Sequence, residues 1–417
     1  MSGGKKIKKA AVLVDVKTKR YLEESQSFTT IHKLAKQLHG KRIAHISVSS
    51  RRGGVAQIIK NLIKFLKVVG VKVDWYTLPE SRHFFNVSRN FRDVLQGKRK
   101  KVFKDDVDFY QKYQEKLASQ IKIKNYSLII LHDYQTLFMT NKLGENSKLI
   151  WQFHLDADWD NIDQTIKEKI KLQLRHCDRY IFSAKDYIPN FINSDHCKII
   201  PPAINPVEKK NISLSQSVIN KKLKRLGIDP KKPILVQVDR FNPYKDQLGF
   251  LKAYHIAKIK HPDLQIVFVS HKTNTVDVEF ENIYQKLKKL SRGDSNVFFF
   301  ISKENNDDMV RLFQSCATVV VQKATKQGFG LAVTEAMWKS KAVIIAPTVG
   351  ALLQVKNGKS GFVANNSKEC AEFICQLVEN QQLRSAIEHT SKEVVQKKFL
   401  FPRLVKDYLL IMNEALH

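Results

Sequence analysis

Lys326-Gln327-Gly328-Phe329-Gly330-Leu331-Ala332-Val333-Thr334-Glu335-Ala336 sets two glycines between a short apolar run and a helix-like segment, the build of a nucleotide-sugar site. Residues 318–321 read as a strand before it and residues 334–341 as a helix after it. Glycine lets a backbone approach a ligand with no Cβ in the way, and the N–H groups of a helix start favour anions. Glu335 is placed to accept two ribose hydroxyls. Arg240 and Lys245, in Asp239-Arg240-Phe241-Asn242-Pro243-Tyr244-Lys245-Asp246, follow another apolar run and can converge on phosphate. Positive charge there lowers the cost of expelling a diphosphate.

A second group lies nearer the N-terminus. Arg52-Gly53-Gly54-Val55-Ala56 is a turn opening a helix, able to receive phosphate or sugar oxygens, although most Gly-Gly pairs are only turns. His132-Asp133 and His154-Leu155-Asp156 end two strand-like runs, where imidazole and carboxylate can orient sugar hydroxyls or handle protons. A structural loop role is the alternative for Asp133 and Asp156. His176-Cys177 and His196-Cys197 lack a supporting close pair, and Asp156-Ala157-Asp158 serves equally as a solvated loop, so no metal site is expected. No cofactor is expected either, beyond a nucleotide sugar consumed as substrate.

These residues need strands to carry them. Short apolar runs alternate with amphipathic helical patterns, which predicts an α/β fold of parallel sheets covered on both faces. The first set of runs is 42–47, 71–76, 127–131, 149–153 and 179–182, with a helix over 55–69; the second is 233–238, 264–269, 296–301, 318–321 and 342–346. Ile200-Pro201-Pro202-Ala203-Ile204-Asn205-Pro206 and the polar stretch to about Lys224 read as a linker. The expected organisation is an N-terminal Rossmann-like domain over 1–205 and a donor domain over 206–395. The final segment, 396–417, is expected to be a helix packing back on the first domain, with Pro402 in its first turn. Two doubly wound domains then face a central cleft, with ligands beyond the carboxyl ends of the strands.

Composition sets bounds on partners. Seventy-one Lys and Arg against 40 Asp and Glu leave a formal charge of +31, which raises nucleic acid or an anionic membrane surface. The lysines are spread along the chain, and the densest cluster, Lys98-Arg99-Lys100-Lys101, is followed by Asp105, Asp106 and Asp108. That pattern reads as a solvated surface and disfavours nucleic acid, while an anionic membrane surface and a homodimer stay open. No apolar run is long enough to span a bilayer, and the basic start Met1-Ser2-Gly3-Gly4-Lys5-Lys6 has no signal core after it. Five scattered cysteines fit a reducing compartment, and a cytoplasmic location is expected.

In these pieces the chain resembles the retaining GT-B glycosyltransferases of family four, and within them the trehalose-synthase branch. The resemblance runs from about Leu34 to Phe362. It rests on His45-Ile46-Ser47 before Gly53-Gly54-Val55-Ala56, then Phe84-Phe85-Asn86-Val87, Leu95-Gln96-Gly97, His132-Asp133-Tyr134-Gln135, Trp151-Gln152-Phe153-His154-Leu155-Asp156, the Pro-Pro-Ala-Ile segment and Gly328-Phe329-Gly330-Leu331. It implies a GT-B fold and transfer of glucose from a nucleoside-diphosphate-glucose to glucose, giving trehalose or a related glycoside with configuration retained. Carried onto matching positions, Arg240 and Lys245 hold the diphosphate and Glu335 the ribose. Gly328, Phe329, Gly330 and Leu331 line the donor, His154 lies near its sugar, and the Gly53-Gly54 loop approaches the reaction centre. Asp133 and Asp156 are the acceptor candidates, and Gln327 takes a catalytic position where the family carries an acid. Arg52 stands in place of a third glycine, and Asn205 in place of an Asp. Two other functions stay open: a catalytically reduced sugar-nucleotide binder, and a transferase acting on a lipid or polysaccharide. Same-face and double displacement are equally compatible with these residues.

Overall fold

The computed structural model describes residues 6–51, 53–99, 101–272, 278–302 and 306–417. Arg52, Lys100 and the opening Met1-Ser2-Gly3-Gly4-Lys5, used above, lie outside them. The chain divides into two compact units, Met1–Pro202 with Phe401–His417, and Ala203–Leu400.

The first unit is built on seven strands: β1 (Lys8–Lys9), β2 (Arg42–Ser47), β3 (Lys72–Thr77), β4 (Leu128–His132), β5 (Lys148–Phe153), β6 (Arg179–Phe182) and β7 (Cys197–Ile199). Their order is β1-β3-β2-β4-β5-β6-β7, parallel except for β1, which pairs antiparallel with β3. All five residues of β4 are buried, as expected of a parallel strand covered on both faces. The strand order reverses between β2 and β4, and it is at such a switch point that an open α/β sheet leaves room for a ligand.

The closing helix, Phe401–Leu416, belongs to this unit. Pro402 is its second residue, where a missing N–H costs nothing. Phe401 stacks on Phe65 at 5.1 Å, and Leu404, Val405, Tyr408, Leu409, Ile411 and Met412 are buried. Arg403 donates to the carbonyls of Pro201 and Pro202, at 2.7 and 3.2 Å, which ties the helix start to the last residues before the chain enters the second unit.

The second unit carries β8 (Ile234–Val238), β9 (Gln265–His271), β10 (Val297–Ser302), β11 (Val319–Gln322), β12 (Ala342–Ile345) and β13 (Phe362–Val363), all parallel, in the order β10-β9-β8-β11-β12-β13. Alternation along the strands splits the core in two. Ile234, Val236 and Val238 face one cluster with Ile219, Phe313 and Met337, while Leu235, Ile266 and Phe268 face another with Phe250, Tyr254 and Ile374. Here the reversal falls between β8 and β11.

Two local expectations are corrected. The polar stretch before Lys224 is no linker, because helix Gln216–Arg225 buries Ile219 and Leu223 in the core and Asn211 is buried ahead of it. The helix after the glycine turn is Leu331–Trp338 and starts about one turn before Thr334, directly after Gly330. Gly330, left-handed at φ 88°, itself forms the cap, so the strong helix formers Leu331 and Ala332 enter the first turn.

Candidate active site

In the second unit the loops after β8 and β11 meet at the switch point. Tyr244 O accepts from Thr325 N at 2.8 Å, and Gln237 Nε2, from inside β8, donates to Lys245 O at 2.9 Å. Asp246 then takes a left-handed backbone, φ 45°, and caps helix Gln247–Lys260 by accepting from Gly249 N at 3.0 Å. These bonds fix the Lys245 main chain on both sides. Its Nζ lies 3.1 Å from Asp239 Oδ2 and donates to Gln327 Oε1 at 3.1 Å. Lys245 therefore links the two loops. Arg240 follows Asp239 with an exposed side chain.

Gln327 is buried beneath the glycine turn. A Cβ added at Gly330 would lie 2.5 Å from Gln327 Nε2, and Gly330 holds φ 88°, so only glycine closes over this amide without strain. Gly350 is needed for a different reason, because a Cβ there would meet Gly328 O at 2.3 Å. Gln354 braces the turn from behind, its Nε2 donating to Phe329 O at 2.7 Å and Gly350 O at 3.0 Å, while its Oε1 accepts from Thr334 Oγ1 at 2.6 Å. Phe329, expected among the donor contacts, sends its ring into the core against Phe399 at 5.4 Å, so only its backbone is left for a ligand. Gly328, Gly330 and Leu331 are partly exposed, and helix Leu331–Trp338 begins there, offering its first N–H groups.

Glu335 is 3% exposed, and its Oε1 is held by Lys210 Nζ at 2.6 Å. Burial pulls the Lys210 pKa down, but Glu335, helped by Glu208 and Asp307, more than offsets this and raises it. Behind them Lys339 donates to Gln314 Oε1 and to Glu335 O, and burial pushes its pKa down to about 7 against the opposing pull of Glu335. Lys210 sits in the stretch read from sequence as linker, where nothing marks it among so many lysines.

In the first unit His154 follows β5 and Asp133 follows β4. Asp133, at φ 65°, accepts His154 N–H on Oδ1 at 2.7 Å, and its carbonyl accepts Trp151 Nε1–H at 3.2 Å. One carboxylate oxygen thus holds two strand ends together. Burial raises the Asp133 pKa to about 7 despite the His154 amide. Asp156 Oδ1 accepts from Gln96 Nε2 at 2.7 Å, so the 95–97 and 156–158 segments dock, helped by Asp158 N donating to Leu95 O. Gly53 and Gly54 are exposed at the start of helix Gly54–Val68.

Spacing gave no hint that His45, His132 and His154 form a row. His45 Nδ1 is 2.9 Å from His132 Nε2, and His132 Nδ1 is 3.1 Å from His154 Nε2. The rings stack at 5.2 and 5.4 Å. Burial drives His45 and His154 down to about 3, and burial with the flanking rings drives His132 well below its ordinary value. An apolar groove of 580 Å³ along helix Gln247–Lys260, lined by Leu248, Leu251, Ile256 and Ile259, contains none of the predicted site residues.

Two outcomes follow. Lys210→Met leaves the Glu335 carboxylate buried without its cation and should destabilise the protein by roughly 3–5 kcal/mol in urea unfolding; an effect below about 1 kcal/mol would show that the pair contributes little. For pH, the unfolded histidines take up protons below about 6.5 while the native rings refuse them, at about 1.4 kcal/mol per ring and pH unit. Asp133 acts oppositely between about pH 4 and 7, because the native acid keeps a proton that the unfolded chain releases. Three rings outweigh one carboxyl. The urea midpoint should therefore fall between about pH 6.5 and 4.5, and a flat or rising midpoint would contradict the buried neutral row.

Two family models match the chain: the trehalose synthase N-terminal domain over residues 45–189, and glycosyl transferases group 1 over residues 218–394. A trehalose synthase of Pyrococcus horikoshii is 29% identical over 411 residues, covering 95% of this chain and 96% of that protein. One of Rubrobacter xylanophilus is 29% identical over 403 residues, with 95% and 96% covered. Among solved structures, the trehalose-6-phosphate synthase OtsA superposes with a TM-score of 0.74 at 13% identity, over 90% of this chain and 98% of that one. Anabaena HepE, solved with UDP and glucose, gives 0.68 at 16% identity, over 90% and 100%. With a doubly wound sheet in each unit, the chain is a glycosyltransferase with the GT-B fold, related to the trehalose synthases.

Proposed function

We propose that this chain is a retaining transferase that moves glucose from a nucleoside-diphosphate-glucose to glucose, giving trehalose or a closely related glycoside. The observation that carries the reading is Lys245, which bridges Asp239 and Gln327 at 3.1 Å each, beside the glycine turn and the start of helix Leu331–Trp338. An ammonium with one carboxylate partner among the described residues, next to the first N–H groups of a helix, is suited to a diphosphate. The full-length match to trehalose synthases supports the choice of sugar and acceptor.

In this reading Lys245, Arg240 and the helix start take the negative charge that develops on the leaving diphosphate, with no metal ion required. Glu335, oriented by Lys210, accepts ribose hydroxyls through the carboxylate. Gly328, Gly330, Leu331 and the Phe329 backbone follow the donor, Gly53 and Gly54 approach the reaction centre, and His154 contacts the transferred sugar. Asp133 and Asp156 receive the acceptor, Asp156 held by Gln96. The leaving phosphate takes the proton of the attacking hydroxyl on the same face. Gln327 does not need to carry charge in this scheme. Its amide oxygen orients Lys245 and leaves that ammonium less neutralised than a second carboxylate would.

The test is to incubate the purified protein with glucose and a panel of nucleoside-diphosphate sugars, with a chelator present, and to follow disaccharide and nucleoside diphosphate. An α,α-linked disaccharide is expected. Its absence with every donor would overturn the reading. Gln327→Glu is expected to lower kcat/KM, by about tenfold if the new carboxylate costs roughly 1.4 kcal/mol of diphosphate stabilisation, because it competes for Lys245. Donor binding without turnover in the native protein, with activity gained in Gln327→Glu, would instead identify a catalytically reduced binder.

A further inference from the structure

The three-histidine row has a polarity. His45, on β2, and His132, at the end of β4, lie on neighbouring strands at the switch point, and His154 follows the end of β5. The inner end is sealed. His45 is fully buried, its ring lies 6.4 Å from that of Tyr408, and the Tyr408 hydroxyl is spent on Gln152 Oε1. His45 Nε2 is buried with no hydrogen-bond partner among the described residues. The outer end is partly exposed, with the His154 main chain pinned to Asp133.

Three neutral rings carry three ring protons. Burial keeps all three neutral, as their depressed pKa values indicate. Two protons fill the two hydrogen bonds, and a neutral central ring can donate only once. The bonds must therefore run in the same direction. Either His45 Nδ1–H donates to His132 and His132 Nδ1–H to His154, leaving the third proton on His154 Nδ1, or every proton shifts and the third sits on His45 Nε2. The second arrangement strands an N–H in a sealed interior. An orphaned buried N–H is the rarer and costlier defect, while an unused lone pair is more readily tolerated.

We propose that the row locks His154 in the tautomer with its proton on Nδ1, and that His45 and His132 are positioning residues for the transfer reaction. This rests on the function proposed above. His154 then meets the transferred sugar as a neutral hydrogen-bond donor and not as a base, because its other nitrogen is occupied by His132. A ring held this way also keeps its plane as the sugar moves towards an oxocarbenium-like geometry, with the donor already aimed.

Two-bond ¹H–¹⁵N correlation spectra of the full chain labelled at histidine nitrogens decide it, with the His154 signals assigned by their loss in His154→Gln. The native spectrum should show His154 protonated at Nδ1 and bare at Nε2. His45→Leu should convert His154 to a mixture of tautomers and lower kcat roughly tenfold, the scale on which partners orienting a functional imidazole act, with donor KM within about twofold. His45→Asn offers an amide N–H in place of Nδ1–H and should restore both. A proton on His154 Nε2 in the native protein overturns the proposal, as does a His45→Leu spectrum unchanged at His154. The native spectrum is decisive even if His45→Leu fails to fold. It is also independent of turnover, so an inactive protein with Nδ1 protonated would overturn the proposed function and leave the row standing.

Discussion

One ammonium group organises the second unit's site. Lys245 Nζ is shared between Asp239, at the end of β8, and Gln327, beyond β11, and it draws together two loops that the strand order separates at the switch point. Much of the local geometry serves this contact. Gln237 and Asp246 fix the lysine's main chain, Gly330 closes over the glutamine amide, and Gln354 holds the turn's carbonyls. The balance of charge is the chemical content. With an amide at 327, Lys245 faces one carboxylate among the described residues, which leaves its ammonium oriented but only partly neutralised, as the proposed diphosphate contact needs.

The first unit is governed by a different constraint, the burial of polar rings. Imidazoles inside β2, at the end of β4 and just beyond β5 are tolerated in the interior because each satisfies the next, and because all stay neutral. The closing helix contributes Tyr408 to the sealed end, while Asp133 ties the open end to β4. Packing, protonation and the orientation of His154 are thus one problem. The same burial that stabilises the row near neutrality makes it a liability in acid.

The sheets were legible because parallel strands covered on both faces leave short apolar runs, and β2 to β6 and β8 to β12 all coincide with such runs to within a residue or two. β1, β7 and β13 have two or three residues each, too few to make a pattern. The glycine turn and the basic pair after β8 were legible as local motifs. Their partners were not, since Asp239 gains meaning only beside Lys245, and Lys210 meets Glu335 from 125 positions away, within a stretch whose polarity resembled a linker. His45 was visible only as part of a strand. A row built from residues 45, 132 and 154 depends on strand order, which no local spacing records. Phe329 shows the converse case, a position in a ligand turn whose side chain belongs to the core.

The most direct test of this account is calorimetric titration of a nucleoside diphosphate and the matching monophosphate into the native protein and Lys245→Met, with a chelator present throughout. The native protein should bind the diphosphate at least tenfold more tightly, a difference of about 1.4 kcal/mol, and Lys245→Met should lose most of that preference while keeping its affinity for the monophosphate. Equal affinity for the two nucleotides in the native protein, or a preference unchanged in Lys245→Met, would contradict the assignment of this lysine as the diphosphate anchor.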